Sequence, residues 1–305
     1  MSRIALKVDV DTWLGTRDGV PTLWQVLAQE RADATFLFSL GPDHTGRAIR
    51  RVFRRGFLSK VRRTSVVSNY GLRTLLYGTL LPGPRIAARC RDVLQETARC
   101  GYEVGVHAYD HVEWQDRVAH ADEAWTRREF RQACEIFEEV FGTAPRVHGA
   151  AGWQANPHLL RLEREYGFTH ASDTRGDAPF RPALGASRTS DLGVPQWPTT
   201  LPTLDELIGH ERLGAQDPVD FLLALTAATP ATDHVFTLHS ELEGGAYSDH
   251  FARLLRGWRA QGREFVTLAG LAAATDIDAL PVARLSEGEV PGRSGSLATA
   301  EVMTP

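Results

Sequence analysis

The sequence predicts an α/β protein built on parallel strands, because short β-rich runs alternate along the chain with runs of helical spacing. The run "DATFLFSL" has no sustained polar alternation, which is typical of strands buried on both faces of a parallel sheet. The number of alternating strand and helix units is sufficient for a barrel. No run is long and apolar enough to span a membrane, and no secretory leader precedes the first strand, so a cytoplasmic location is expected.

The strand and helix candidates follow one another from the start of the chain. The first strand is "RIALKVDV", and the next segment predicts a helix with Leu23, Val26 and Leu27 on one face. "DATFLFSL" is the second strand, and the later candidates are "GYEVGVHA", "RVHGAAG", "GFTHASD" and "DHVFTLHS". Between them, "WTRREFRQACEIFEEVFG" and "NPHLLRLEREYG" predict helices that end at Gly142 and Gly167.

Two segments depart from this alternation. The net charge of the chain is −4, yet residues 46–91 contain twelve arginines and lysines, no acidic residue, and many interleaved apolar side chains. We predict a basic helical insertion that favours an anionic membrane surface over nucleic acid, because an interfacial helix needs an apolar face as well as charge. Residues 276–305 are rich in Ser, Gly, Pro and Ala and are predicted to be a disordered tail that follows a domain of residues 1–275.

The first strand ends with two carboxylates on one face. Asp9 and Asp11 alternate with Val8 and Val10, so the valines can pack while both aspartates point to the opposite side. Two unpaired carboxylates at this spacing repel each other unless a cation or a proton intervenes. The sequence therefore predicts a positive group beside the aspartates.

Histidines end two of the other predicted strands. His107 closes one strand and His111 follows four residues later, so both imidazoles face the same way if a helical turn begins there. His239 ends a second strand. Because catalytic residues of βα barrels gather at the carboxyl ends of strands, we expect all three beside the aspartates. Two imidazoles and one carboxylate would form a three-ligand metal site with open positions for water, as in hydrolytic centres.

The order Asp-x-Asp, His-x3-His and Leu-x-His resembles the polysaccharide deacetylase superfamily (NodB homology, carbohydrate esterase 4) over residues 4–271. The resemblance implies a distorted (β/α)7 barrel of the NodB type and one divalent cation, which could be zinc, cobalt, manganese or nickel. It implies the following roles: Asp9 as general base, Asp11, His107 and His111 as metal ligands, His239 as the acid that protonates the leaving amine, and Asp173 as the carboxylate that orients His239.

The chain departs from this family at one motif. Where the family carries Arg-x-Pro-x-Gly, whose arginine braces the base, this chain reads "HGAAGWQ", and Arg146 and Arg175 are the two candidates for its replacement. Trp153 borders the same strand end, and it either walls a sugar site, which we favour for that reason, or packs in the core. Arg175 and Arg181 either clamp a lipid phosphate through paired N–H donors or form ordinary surface ion pairs.

Longer stretches, among them "VDVDTWLGTRDGVP", "GVHAYDHVEWQ" and "LHSELEGGAY", resemble the lipid-linked sugar deformylases of this superfamily. The resemblance implies hydrolysis of a formamide on an undecaprenyl-phosphate-linked aminoarabinose, for lipid A modification and resistance to cationic peptides such as polymyxin. It also implies a peripheral position on the cytoplasmic side of the inner membrane. One alternative is a polysaccharide or peptidoglycan N-deacetylase, whose substrates lie mostly outside the cell. Another is a non-enzymatic protein that binds anionic membranes, for which the aspartate and histidine pairs have no use.

Overall fold

A computed structural model describes residues 2–48, 76–186, 190–208, 216–293 and 295–303. Its strands are β1 (Arg3–Val10), β2 (Thr35–Ser39), β3 (Glu103–Ala108), β4 (Val147–His148), β5 (His170–Ala171), β6 (Arg181–Pro182), β7 (His234–His239), β8 (Glu264–Val266), β9 (Val282–Glu289) and β10 (Ser296–Val302). Its α-helices are α1 (Val20–Gln29), α2 (Ile86–Arg89), α3 (Arg91–Arg99), α4 (His111–Arg117), α5 (Glu123–Phe141), α6 (Pro157–Glu165), α7 (Leu204–Leu207), α8 (Pro218–Ala228), α9 (Ser248–Ala260) and α10 (Leu268–Ala273).

The main sheet is parallel and curls into a distorted barrel. Its strand order is β5-β4-β3-β2-β1-β7, and β8 pairs with the N-terminal half of β1. The irregular segment 195–201 bridges β5 and β7, because the Trp197 amide donates to the Ala171 carbonyl at 2.8 Å and the Thr200 amide donates to the Val235 carbonyl at 3.1 Å. The parallel α/β architecture predicted from the sequence is confirmed.

The predicted strands and helices form where the hydrophobic pattern places them. The β1 side chains of Val8 and Val10 are buried in the main core, which also contains Leu23 and Leu27 of α1. Helix α5 ends at Gly142, whose φ of 73° is the left-handed conformation that glycine adopts without steric cost. Because all neighbouring strands of the barrel run parallel, their carboxyl ends meet at one rim.

The prediction of a disordered C-terminal tail is wrong for the described part of residues 276–305. Strands β9 and β10 form an antiparallel hairpin, and β6 pairs parallel to β9. Ala283, Leu297 and Ala298 of this hairpin are buried. The composition of this segment suggests disorder because its inward-facing side chains are mostly small. Small side chains nevertheless suffice to pack a hairpin against a preformed domain.

Most of the predicted basic insertion, residues 49–75, lies outside the described residues, and its helical character stays a prediction. In the described part that follows, Leu80 is 79% exposed, while α2 and α3 pack back onto the domain. Among the described residues, no helix has the length and hydropathy needed to cross a membrane.

Candidate active site

Three predicted metal ligands meet at the rim of the barrel. Asp11 follows the end of β1, His107 lies in β3, and His111 is the first residue of α4. The Asp11 Oδ1 atom lies 3.2 Å from His107 Nε2, and Asp11 Oδ2 lies 3.4 Å from His111 Nε2. One ligand atom from each residue falls within 4.8 Å of the others, which is close enough for all three to share one cation.

The hydrogen bonding of His107 favours a cation between these groups. Its Nδ1 atom is 2.6 Å from the Gly149 carbonyl oxygen, and because a carbonyl only accepts, Nδ1 carries the proton. In the neutral imidazole, the lone pair of Nε2 then faces the Asp11 carboxylate, an acceptor facing an acceptor. Asp11 Oδ1 is buried without a hydrogen-bond partner. A divalent cation satisfies both atoms, so the residues present fit a metal.

The start of helix α4 places the His111 side chain beside Asp11 and His107. Asp110 is the N-cap of α4 and accepts hydrogen bonds from the Val112 and Glu113 amides, so the helix begins at His111. Burial lowers the pKa of His111, which favours the neutral ligand form. Burial alone would raise the pKa of the Asp11 carboxyl, but His111 and His107 outweigh it and hold this pKa well below its usual range. Each shift favours the form of the side chain that binds a cation, an ionised carboxylate for Asp11 and a neutral imidazole for His111.

The candidate base, Asp9, is braced by a lysine from its own strand. Lys7 and Asp9 share one face of β1, and Lys7 Nζ lies 3.0 Å from Asp9 Oδ2 with both side chains buried. Asp9 Oδ1 is left without a hydrogen-bond partner. A Cβ at Gly149 would come within 2.8 Å of Lys7 Cε, so the small residue in "HGAAGWQ" makes room for the lysine chain. Lys7 thus pairs with the candidate base in a chain that lacks the bracing arginine.

The two replacements predicted for that arginine are wrong. Arg146 is exposed on the surface. Arg175 is buried, and its guanidinium is 2.5 Å from Glu206 and 3.2 Å from the Leu201 carbonyl oxygen. The same bonds contradict a role for Arg175 as a phosphate clamp, because its terminal nitrogens face protein acceptors.

The carboxylate beside His239 is Asp205, and the predicted partner Asp173 is wrong. His239 Nδ1 lies 3.7 Å from Asp205 Oδ1, at the start of α7. Asp173 lies instead in a buried cluster, where its Oδ1 atom is 2.8 Å from His148 Nδ1 and accepts the Ala150 amide at 2.8 Å.

The buried cluster around Asp173 consists of His148, Glu163 and Gln196, which contact one another or Asp173 directly. His148 Nδ1 is also 2.8 Å from Glu163 Oε1, and the Gln196 side-chain amide donates to Asp173 Oδ2 at 2.8 Å. Burial alone would lower the pKa of His148, but Asp173 and Glu163 raise it to about 9. Burial and the neighbouring Asp173 raise the pKa of the Glu163 carboxyl well above its usual range. This buried cluster of one histidine and two acidic residues ties β4, α6 and the chain after β5 together.

The remaining predicted substrate contacts are Trp153 and Arg181. Trp153 reaches the site, and its ring packs edge-on against His239 with 6.3 Å between centroids. Its indole is only 2% exposed and its N–H donates to Thr199 at 3.1 Å, which contradicts the predicted role as a sugar wall. Arg181 lies in β6 and pairs with the exposed Asp278 at 3.4 Å, the surface ion pair that the sequence left open as an alternative.

Glu241 is a further buried carboxylate that sequence reasoning missed. Its Oε1 atom accepts the Asp11 and Thr12 amides at 3.2 and 2.8 Å and the Thr12 hydroxyl at 2.7 Å. It therefore fixes the backbone just after β1, where Asp11 projects. A Cβ at Gly15 would meet Glu241 Oε1 at 2.0 Å, so a larger residue at position 15 would displace this support.

No protein-family model matches the chain. A protein of Shewanella sediminis (strain HAW-EB3), described as a probable 4-deoxy-4-formamido-L-arabinose-phosphoundecaprenol deformylase ArnD, is 33% identical over 297 residues, which cover 97% of this chain and 94% of the relative. A protein of Wigglesworthia glossinidia brevipalpis with the same description is 30% identical over 286 residues, covering 93% and 98%.

Solved structures of low sequence identity share the fold. A putative polysaccharide deacetylase from Mycobacterium smegmatis has a TM-score of 0.63 at 19% identity, and the match covers 95% of each chain. A probable polysaccharide deacetylase from Pseudomonas aeruginosa PAO1 has a TM-score of 0.56 at 16% identity, covering 89% of this chain and 90% of the other. These likenesses confirm the predicted NodB-type barrel.

Proposed function

The chain belongs to the 4-deoxy-4-formamido-L-arabinose-phosphoundecaprenol deformylase family, and on this premise we propose that it removes the formyl group from that lipid-linked sugar. It is a hydrolase of a linear amide C–N bond. In the proposed reaction, water adds across this bond and yields formate and 4-amino-4-deoxy-L-arabinose-phosphoundecaprenol. The free amine serves lipid A modification and resistance to cationic peptides such as polymyxin.

One observation carries the proposal. The Asp11 carboxylate lies 3.2 Å from His107 Nε2, beside a second carboxylate, Asp9, whose Oδ1 atom has no hydrogen-bond partner. In the register of the parallel sheet, Asp9 pairs with His239 of β7, which brings a candidate base and a candidate acid to neighbouring positions. Amide hydrolysis needs a base, an acid and an electrophile at one point, and this rim brings together candidates for the base and the acid with three residues that would hold a cation as the electrophile.

The side chains divide the proton transfers between them. Asp11, His107 and His111 would hold one divalent cation, which acidifies water and polarises the formyl oxygen when bound. Asp9 takes the proton from the attacking water as the new C–O bond forms. Protonated His239 gives a proton to the amide nitrogen as the C–N bond breaks, because an amide anion is too poor a leaving group. Asp205 holds the imidazole of His239 from its Nδ1 side.

The proposal also assigns Lys7 the task of orienting Asp9. We expect Lys7→Met to lower the turnover number by about 10- to 100-fold, as for other residues that orient catalytic groups from behind. It should lower the free energy of unfolding by about 3–5 kcal/mol, because Asp9 is left as an unpaired buried charge. Formate release and denaturant unfolding measure the two effects.

The double variant Lys7→Met/Asp9→Asn separates the loss of turnover from the loss of stability. It leaves no buried charge unpaired, so it should recover most of the stability without recovering turnover. Full turnover in Lys7→Met would contradict the assignment.

We further propose that the protein attaches peripherally to the anionic cytoplasmic leaflet of the inner membrane through residues 46–91. Support comes from the twelve basic residues of this segment and from Leu80 and Leu81, which are 79% and 40% exposed at its described end. Each arginine near an anionic surface contributes about 1 kcal/mol. Binding to vesicles should therefore increase with the fraction of anionic lipid and weaken with salt. Equal binding to neutral and anionic vesicles at low salt would contradict the electrostatic part of this proposal.

The experiment that tests the function uses two matched substrates. The protein is incubated with formamido-arabinose phosphoundecaprenol and with its acetamido analogue, and formate and acetate are measured. We expect formate release and little acetate. Preferential release of acetate, or activity on chitin oligosaccharides instead, would favour the alternative of a polysaccharide N-deacetylase.

A further inference from the structure

The C-terminal hairpin brings an arginine to the candidate active site. Residues 290–295 join β9 to β10, and Arg293 in this turn reaches α7. Its Nη2 atom lies 3.1 Å from Asp205 Oδ1 and 3.0 Å from Asp205 Oδ2. Its Nε atom donates to Glu206 Oε1 at 2.8 Å. One guanidinium thus binds the two consecutive acidic residues of α7.

The turn is shaped to fit this helix. Gly292 has a φ of +92°, and a Cβ there would lie 2.9 Å from the Glu206 carbonyl oxygen and 3.0 Å from the Glu206 Cβ. Only glycine combines this conformation with this close approach. The hairpin is also tied to the domain through β10, where the Ala298 carbonyl accepts the Arg175 amide at 2.8 Å. The contact of Arg293 is therefore fixed from both sides of the turn.

Asp205 stands between Arg293 and His239. Its Oδ1 atom accepts the Thr203 hydroxyl at 2.5 Å and lies 3.7 Å from His239 Nδ1. Burial alone would raise the pKa of Asp205, but Arg293, and after it His239, lower this pKa and keep the carboxylate ionised. Because Arg293 contacts both carboxylate oxygens, it sets the direction in which Oδ1 points.

A second contact leads to the same histidine. The guanidinium carbon of Arg293 lies 4.7 Å from the centroid of the Trp153 ring, and this ring packs edge-on against His239. Arginine over an indole face is a favourable cation–π arrangement. Arg293 therefore restrains both neighbours of His239, Asp205 on one side and Trp153 on the other.

We propose that Arg293 is a positioning residue of the deformylase reaction, which orients Asp205 and through it the imidazole of His239. The inference rests on the proposed function, in which His239 protonates the leaving amine. It makes the C-terminal hairpin part of the active site.

The test compares five variants of the full-length protein. Arg293→Met should lower kcat by about 10- to 100-fold and leave KM unchanged, since the arginine acts through Asp205. Arg293→Lys should restore part of the rate. Arg284→Met is the matched control, because Arg284 is exposed on β9 of the same hairpin. In the Asp205→Asn background, Arg293→Met should cause no further loss. A raised KM with normal kcat, or additive losses in the double variant, would overturn the proposal.

A spectroscopic measurement separates this proposal from the function itself. The imidazole ¹⁵N signals of His239 are assigned by their absence in His239→Gln. We expect them to shift in Arg293→Met in the same direction as in Asp205→Asn, and to stay in place in Arg284→Met. Unchanged His239 signals in Arg293→Met would overturn the positioning role, whether or not the wild type releases formate.

Discussion

A His111→Ala variant is expected to purify with little bound metal and to release formate on the order of 10³-fold more slowly than the wild type. The loss is large because a bound cation contributes several kcal/mol to the transition state, and each 1.36 kcal/mol is tenfold in rate. Asp11→Ala and His107→Ala should behave alike, since each removes one of three ligands. Metal content is measured by plasma emission on the same preparations that are assayed.

His120→Ala is the control for this series, because His120 is exposed and lies outside the cluster. It should keep its metal and its rate. Chelation should abolish wild-type activity, and added metal should restore it. Full metal occupancy in all three ligand variants would show that the cation binds elsewhere.

Asp9→Asn and His239→Ala are expected to lose about 10²–10⁴-fold in turnover each while still binding metal. Asn cannot accept the water proton, and alanine cannot protonate the nitrogen. The rate should pass through a maximum in pH for the wild type, because the acid must be protonated and the base ionised. Because His239 is the proposed acid, the alkaline limb of this pH profile should weaken or vanish in His239→Ala.

Asp249→Asn is the matched control for Asp9→Asn, since Asp249 is exposed in the first turn of α9. It should keep wild-type turnover. Near-normal turnover in Asp9→Asn with a full metal site would mean that another residue is the base.

The sequence was most informative where local periodicity determines the structure. Asp9 and Asp11 project together because they are two residues apart at the end of a strand, and His107 and His111 converge because a capped helix begins at His111. Lys7 obeys the same two-residue alternation. A lysine on the buried face of an apolar strand was therefore a readable signal for a carboxylate partner.

The site residues that sequence reasoning missed or assigned wrongly lie in segments without such periodicity. Asp205 follows the irregular stretch 195–201 that closes the barrel, and Arg293 lies in a turn of a hairpin that composition marked as disordered. Their approach to His239 is set by long-range packing, which neither spacing nor composition encodes. Asp173 carries the expected residue type, but its side chain is buried against His148, two residues after β5.

The most direct test of the account is a metal titration of the metal-free protein with formate release as the readout. One divalent cation at Asp11, His107 and His111 predicts that the initial rate rises linearly up to one equivalent of added metal and is constant beyond it. The His111→Ala variant should stay inactive throughout the same titration. Formate release at the full rate by the chelator-treated protein, before any metal is added, would contradict the account.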